Sequence, residues 1–289
     1  MQISKVLLLG TVSLCCLSVP AYAGKIPSNH LIHIEQFGGS NLFENVFSNN
    51  STDSTYNHEL ISDVRAYGDL TTGRAGSISS STNGTSYQSI VEVYDTLTFS
   101  SATEVSFNFT LHGFLSSNSV SHNPKGQGRV DIYDITGIDN WLETGSLFGL
   151  VDQVDVVSDA TELSANTVEI NMNKVQGFTT DTGEISEDNN LLRDGSLHEV
   201  NRVLSGSFSV DPTKTYGIRL AVNTYSSGGS VADFSGTGTF EFTDLGGASF
   251  NSDSGTFLTA APVPVPASML LFGTGIAGLL GTRIRRKKK

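Results

Sequence analysis

The chain has 289 residues with 29 acidic against 17 basic side chains, a formal net charge of −12. Nucleic acid and anionic lipid are disfavoured as partners of its body, because both repel a polyanion. Its 30 glycines, many Ser, Thr and Asn and few Ala, Leu, Lys or Glu runs argue against a helical protein, and two cysteines give no disulfide framework.

At the N-terminus Lys5 supplies a positive charge, Val6 to Leu17 an apolar run, and Ala21-Tyr22-Ala23 a small-x-small cleavage site. That order is a secretory signal peptide over residues 1–23, so signal peptidase is an expected partner, with Ala21, Ala23 and Gly24 as its site. Cys15 and Cys16 both lie in this leader, and Leu14 and Cys15 occupy the positions where a lipoprotein leader wants a small residue. The mature chain from Gly24 therefore has no cysteine, and neither disulfides nor thiol chemistry enter its fold or mechanism. Lys5 and six basic residues of the tail are topogenic; without them the exported body is near −19.

Residues 24–258 read as one exported domain. Leu31 to Phe37 is a first strand closed by Gly38-Gly39, Ser48 to Tyr56 a polar loop, and Leu60 to Tyr67 either a strand or a short helix. Thr71 to Ser86, rich in Gly, Ser, Thr and Asn, reads as loop. Val91, Val93, Leu97 and Phe99 then share one parity, and Val105, Phe107, Phe109 and Leu111 alternate with polar residues, the period of half-buried strands. After a looser segment with a polar loop from Ser119 to Gly126, Arg129 to Ile135 is another strand. Asn140 to Ser158, with the only tryptophan, Trp141, supplies apolar residues to the core.

Thr179 to Ser196 is acidic and turn-rich and reads as an exposed excursion, with Leu191-Leu192 on one helical turn. Leu204, Phe208 and Val210, the turn at Asp211 to Lys214, and Tyr216, Ile218, Leu220 and Val222 read as an antiparallel hairpin with one wet face. Phe240, Phe242 and the segment from Ser249 to Phe257 supply closing strands. Strands at this spacing predict an all-β, antiparallel β-sandwich or jelly-roll-like body.

Catalytic signals are thin. The six histidines (His30, His33, His58, His112, His122, His198) are scattered, with no His-x-x-x-His pair on a helix; His30 and His33 would face opposite sides of one strand, as surface imidazoles. No Gly-x-Ser-x-Gly elbow and no P-loop lysine is present, so no catalytic residue is assigned and the chain is read as not an enzyme. Calcium is the one candidate cofactor: Asp131, Asp134 and Asp139, or Asp181, Glu184, Glu187 and Asp188, carry oxygen ligands, although neither run has EF-hand order and a solvated acidic face accounts for both. No metal site is assigned.

The tail has three parts. Val263-Pro264-Val265-Pro266 is extended and accessible, because each proline fixes its own φ and pushes the residue before it towards the β region. Ala267 to Thr282 carries no charge. As a helix it spans about 24 Å against a hydrocarbon core of about 30 Å, a gap that bilayer thinning and flanking basic side chains close. Its Gly273, Gly275, Gly278 and Gly281 are tolerated in a membrane, and Arg283, Arg285, Arg286 and Lys287 to Lys289 hold the far end in the cytoplasm. Residues 259–266 are thus linker and motif, and 267–289 a single transmembrane helix with a basic tail.

This arrangement resembles the PEP-CTERM sorting signal of Gram-negative bacteria, a Val-Pro-Glu-Pro-like motif followed by a glycine-containing apolar helix and an arginine-rich cluster. Here Val265 stands where the name-giving motif has glutamate. The resemblance implies that exosortase, an integral-membrane processing enzyme, is a partner. It makes Val263, Pro264, Val265 and Pro266 the sorting motif and Arg283, Arg285 and Arg286 the retention element. Hydropathy alone also fits a plain C-terminal membrane anchor.

The sequence therefore reads as an exported surface or extracellular-matrix protein. It is held at the inner membrane before processing and associated with exopolysaccharide. A carbohydrate-binding module, with or without calcium, is the alternative, and a secreted hydrolase on the same fold is ranked below it.

Overall fold

A computed structural model describes residues 30–259 apart from 40, 60–61, 82–83, 147–151 and 181. Every element in this range is a β-strand or a turn, and every strand pair is antiparallel.

One sheet carries, from edge to edge, β13 (Gly183–Asp188), β12 (Lys174–Thr179), β11 (Thr161–Asn171), β8 (Lys125–Asp134), β15 (Tyr216–Ser227), β6 (Ser86–Phe99), β1 (Leu31–Gly38) and β2 (Asn41–Ser48). The short β17 (Phe250–Ser252) also pairs with the end of β6. The second sheet carries β14 (His198–Val210), β7 (Thr103–Ser117), β16 (Ser230–Asp244), β5 (Arg74–Ser81), β4 (Ser62–Asp69) and β3 (Thr52–Glu59). A hairpin of β9 (Leu142–Ser146) and β10 (Asp152–Val156) stands apart.

The two large sheets bury one core between them, as the alternation demands. Val91, Val93, Leu97 and Phe99 of β6 and Val105, Phe107, Phe109 and Leu111 of β7 all lie buried in it. Phe99 meets Phe208, Tyr216 and Phe242 edge-on, with centroids 5.6 to 6.2 Å apart. Such contacts add to area burial because ring edges meet ring faces.

Four expectations are corrected. The polar stretches at Ser48 to Tyr56 and Thr71 to Ser86 contain strands β3 and β5. In β5 the inward positions are Ala75, Ser77, Ser79 and Ser81, buried yet not apolar. Ser77 Oγ lies 2.8 Å from both the Ser89 carbonyl and Thr224 Oγ1, so the hydroxyl is satisfied inside the sandwich. Hydropathy periodicity cannot register such a strand.

The expected hairpin at Asp211 to Lys214 is instead an arch. β14 pairs with β7 in one sheet, whereas β15 pairs with β6 and β8 in the other. Alternation reports which face of each strand is buried, not which strand lies beside it. The Asp211 N–H donates to Tyr216 Oη at 2.7 Å and closes the arch, and the Phe208 and Tyr216 rings pack across it at 5.9 Å.

Finally, Leu191-Leu192 is irregular rather than helical, although the surrounding excursion is exposed as expected, with β13 an acidic edge strand. Charged side chains on an edge discourage pairing with another chain. Strands β11 and β12 arise in a segment that carried no expectation.

Turns share one local device. Asp69-Leu70-Thr71, Asp134-Ile135-Thr136, Asp194-Gly195-Ser196 and Asp211-Pro212-Thr213 each fold the carboxylate onto the amide two residues on, at 2.8 to 3.0 Å, and Asp233-Phe234-Ser235 does the same where the pairing of β16 shifts register. In Asp194 and Asp211 bonds from Ser196 and Thr213 hold the carboxyl below its usual range. In Asp69 and Asp134 partial burial opposes that effect and is outweighed by the hydrogen bonds.

A smaller core lies on the outer face of the larger sheet, built from Leu31, Tyr94, Tyr133, Ile135, Trp141, Leu142 and Val157. Trp141 is fully buried, donates from Nε1 to Thr96 Oγ1 at 3.0 Å, and lies flat on Gly217, where a Cβ would stand 2.8 Å from the ring. Only the missing side chain there lets the indole reach the sheet.

Candidate functional site

The expected signal-peptidase residues Ala21, Ala23 and Gly24 lie outside the described residues. So do the sorting motif Val263, Pro264, Val265 and Pro266 and the retention residues Arg283, Arg285 and Arg286. What the structure defines is how the folded body delivers the chain to that tail.

After β17 the backbone forms a strap across one pole. The Asp253 N–H donates to the Thr96 carbonyl at 2.9 Å, and Ser254 gives Oγ to Asp95 Oδ2 at 2.5 Å and its N–H to Oδ1 at 3.2 Å. Burial raises the Asp95 carboxyl above its usual range, and the bonds from Ser254 and Thr96 oppose that rise. Phe257 is buried beside Phe240 and Phe250, at centroid distances of 5.9 and 6.4 Å.

Leu258 N–H then donates to the Leu70 carbonyl at 2.9 Å with φ at 57°. A Cβ on Gly73 would stand 2.5 Å from Leu258 Cδ2, so glycine makes room for the strap and adopts its own φ of 63°. Asp95 belongs to one sheet, and Leu70, Gly73 and Phe240 to the other, so the strap clasps the two together.

The other chain end leaves the same pole. His30 Nδ1 lies 3.4 Å from Asp253 Oδ2, and β1 starts beside the end of β6, with Leu31 opposite Tyr94. This exit pole also holds the turns at Leu70–Gly73, residues 100–102 and Asp211–Lys214, while residues 118–124, 189–197 and 228–229 form the far pole. The 15 residues of β7 run between the poles, about 45 Å at roughly 3.3 Å per residue.

A row of charge crosses the outer face of the larger sheet. His33 Nδ1 is 3.1 Å from Glu92 Oε2, and its Nε2 is 3.2 Å from Glu35 Oε1 and 3.1 Å from Asn45 Oδ1. Further along, Asp131 Oδ2 accepts from Arg219 Nε at 2.7 Å and Asp131 Oδ1 from Arg129 Nε at 2.9 Å. His33, Glu35, Asp131 and Arg219 are all buried, and the Phe47 ring stacks on His33 at 4.6 Å.

Burial alone would lower the His33 pKa, but its contacts with Glu35 and Glu92 outweigh that and push it up to about 9. Burial likewise pushes Glu92 up, while His33 and Arg219 bring it below its usual range. Burial raises the Tyr94 phenol well above normal, with the Glu92 charge adding to the effect, so it stays protonated. The row therefore consists of paired ions: imidazolium and guanidinium against carboxylates.

The expectation of a surface imidazole at His33 is corrected by this burial. The sequence signal for this row is a set of single charges framed by apolar residues, in Ile32-His33-Ile34, Val91-Glu92-Val93, Val130-Asp131-Ile132 and Ile218-Arg219-Leu220. Each looks like the wet face of a strand; only the sheet order brings opposite signs together.

Among the calcium candidates, Asp131 sits between two arginines, and Asp134 accepts from Lys214 Nζ at 2.7 Å. Glu187 pairs with Arg202 at 2.9 Å, and Asp181 lies outside the described residues. Among the described residues no group of three or more His, Asp and Glu is arranged to hold a metal ion. Trp141 is enclosed in the smaller core and presents no ring to solvent. An open depression of about 440 Å³ near the exit pole is lined by Thr52, Asp53, Tyr67, Gly68, Asp69 and Arg74.

Residues 262–287 match the family described as the PEP-CTERM protein-sorting motif. No curated protein matches the chain. The matched segment contains Val263 to Pro266 and Arg283, Arg285 and Arg286. It marks an exported protein addressed to exosortase and bound for the cell surface or the exterior.

Proposed function

We propose that the chain is a non-catalytic protein of the cell surface or extracellular matrix, associated with exopolysaccharide, whose β-sandwich is cargo for two processing enzymes. Signal peptidase cuts after Ala21-Tyr22-Ala23 and frees Gly24. The uncharged segment 267–282 then enters the inner membrane, with Arg283, Arg285 and Arg286 holding its cytoplasmic end. Exosortase acts at the extended Val263 to Pro266. The observation that carries this reading is the sorting-motif match over residues 262–287, which covers all three parts of the tail. The reading requires no cofactor.

The experiment is cell fractionation in a host that has exosortase, comparing the wild type with the double variant Pro264→Ala, Pro266→Ala. The variant should accumulate at full length in the inner membrane while the wild type moves outward. Equal processing of both would overturn the assignment of the motif.

A glycan-binding role for the body is favoured by the depression around Tyr67, where an aromatic residue, a cation (Arg74) and an acid (Asp69) share one face of the sheet. Such a mixture suits sugar hydroxyls and a pyranose face. Retention of the purified body on immobilised exopolysaccharide, lost in Tyr67→Ala, is the expected result; retention by both proteins would place binding elsewhere.

A further inference from the structure

We propose that the exit pole is the surface the body turns towards the lipid headgroups while the tail is inserted, and that the far pole faces outward. The proposal rests on reading residues 267–289 as a membrane anchor.

The argument is one of reach. The strap fixes the chain as far as Leu258, through its bond to Leu70 and the burial of Phe257. From Thr259 to Ala267 there are eight residue steps, at most about 28 Å of fully extended chain. The body is about 45 Å from pole to pole by the length of β7. The tether is therefore too short to run along the body and let the far pole meet the bilayer.

A second tether agrees with the first. From Leu17, where the leader's apolar run ends, to His30 is thirteen steps, at most about 45 Å, and His30 sits at the strap, 3.4 Å from Asp253, so this tether too starts at the exit pole. Until signal peptidase acts, both ends of the body are held to one membrane at one pole. Neither tether has to cross the sandwich, so the sheets can close before either cut is made. The geometry also turns the exposed apolar side chains of Val120, Leu192 and Leu197 at the far pole away from the lipid, beyond the reach of the tether.

The mature region has no cysteine, so the exposed positions Ala102 at the exit pole and Ser121 at the far pole can each carry one dye through Ala102→Cys or Ser121→Cys. Tail-bearing protein from a host without exosortase is reconstituted into vesicles of phosphatidylethanolamine and phosphatidylglycerol containing a headgroup spin-labelled lipid. Labelling after reconstitution restricts the dye to outward-facing bodies. The dye at position 102 should lose most of its fluorescence and the dye at 121 little. Adding Phe257→Ala, which frees the strap and lengthens the tether, should narrow the difference.

Equal quenching at both positions in protein that floats with the vesicles, or stronger quenching at 121, would overturn the orientation. Protein that does not float with vesicles at all would overturn the membrane reading of the tail, and the orientation with it.

Discussion

The N–H of Leu258 donates to the carbonyl oxygen of Leu70 at 2.9 Å, so the last turn before the sorting tail is bonded to a turn of the opposite sheet. Phe257, buried beside Phe240 and Phe250, is the side chain that holds it there. Phe257→Ala should lower stability by about 3 kcal/mol, the cost of an emptied aromatic site. It should also open the chain to protease between residues 252 and 260. Urea unfolding and the masses of limited-digest fragments measure both effects; an unchanged rate of cleavage in this segment would show that the strap is not held by this ring.

Gly217 lies under the indole of Trp141. A methyl group there has no space, so Gly217→Ala should destabilise by about 1 to 3 kcal/mol through overpacking and shift tryptophan emission to longer wavelength. Because Trp141 is the only tryptophan, the spectrum reports this contact alone. Unchanged emission would mean that the ring does not rest on the sheet.

Charge burial gives the fold a pH dependence. The His33 pKa is raised from 6.5 to about 9 in the folded chain. Its contribution is therefore full below about pH 6.5 and disappears as pH rises to about 9. The shift corresponds to about 3 kcal/mol at most. Glu92 has the opposite sign: its lowered pKa contributes above the ordinary carboxylate value of 4.5 and is lost as pH falls. Urea midpoints should thus be highest between about pH 5 and 6.5, and His33→Gln should flatten the alkaline limb. A wild-type midpoint that stays level from pH 6.5 to 9 would contradict a charged His33.

Removing one member of a buried pair costs more than the pair contributes, because it leaves a charge without its partner. Arg219→Met leaves the fully buried Asp131 with Arg129 alone. It should cost about 3 to 5 kcal/mol, with part recovered in the double variant Arg219→Met, Asp131→Leu. Chemical denaturation of the two variants decides this, and equal losses in both would argue that the Arg219 side chain contributes packing rather than charge.

How much of this was legible depends on what each strand places inside. In β6, β7 and β15 the positions that enter the main core are largely Val, Ile, Leu and Phe, and alternation alone located these strands. In β5 the buried positions include Ser77, Ser79 and Ser81, of which Ser77 and Ser81 satisfy their hydroxyls on the Ser89 and Thr85 carbonyls, so a strand looked like a loop. The arch at Asp211 looked like a hairpin because sequence records the inward face of β14 and β15 and not the sheet each one joins. His33 looked like a surface residue because its carboxylate partner Glu92 is 59 positions away. The tail was the most readable segment, since its proline motif, uncharged run and basic cluster stand consecutively, and residues 262–287 match as one unit.

Intact mass of the exported protein, produced in a host with and without exosortase and tagged after Gly24, tests the central claim most directly. With exosortase the mass should correspond to a body ending near Val263 to Pro266, recovered outside the inner membrane, and without it to the full tail held in that membrane. A full-length, membrane-bound product in both hosts would contradict the account and leave the tail as a plain anchor.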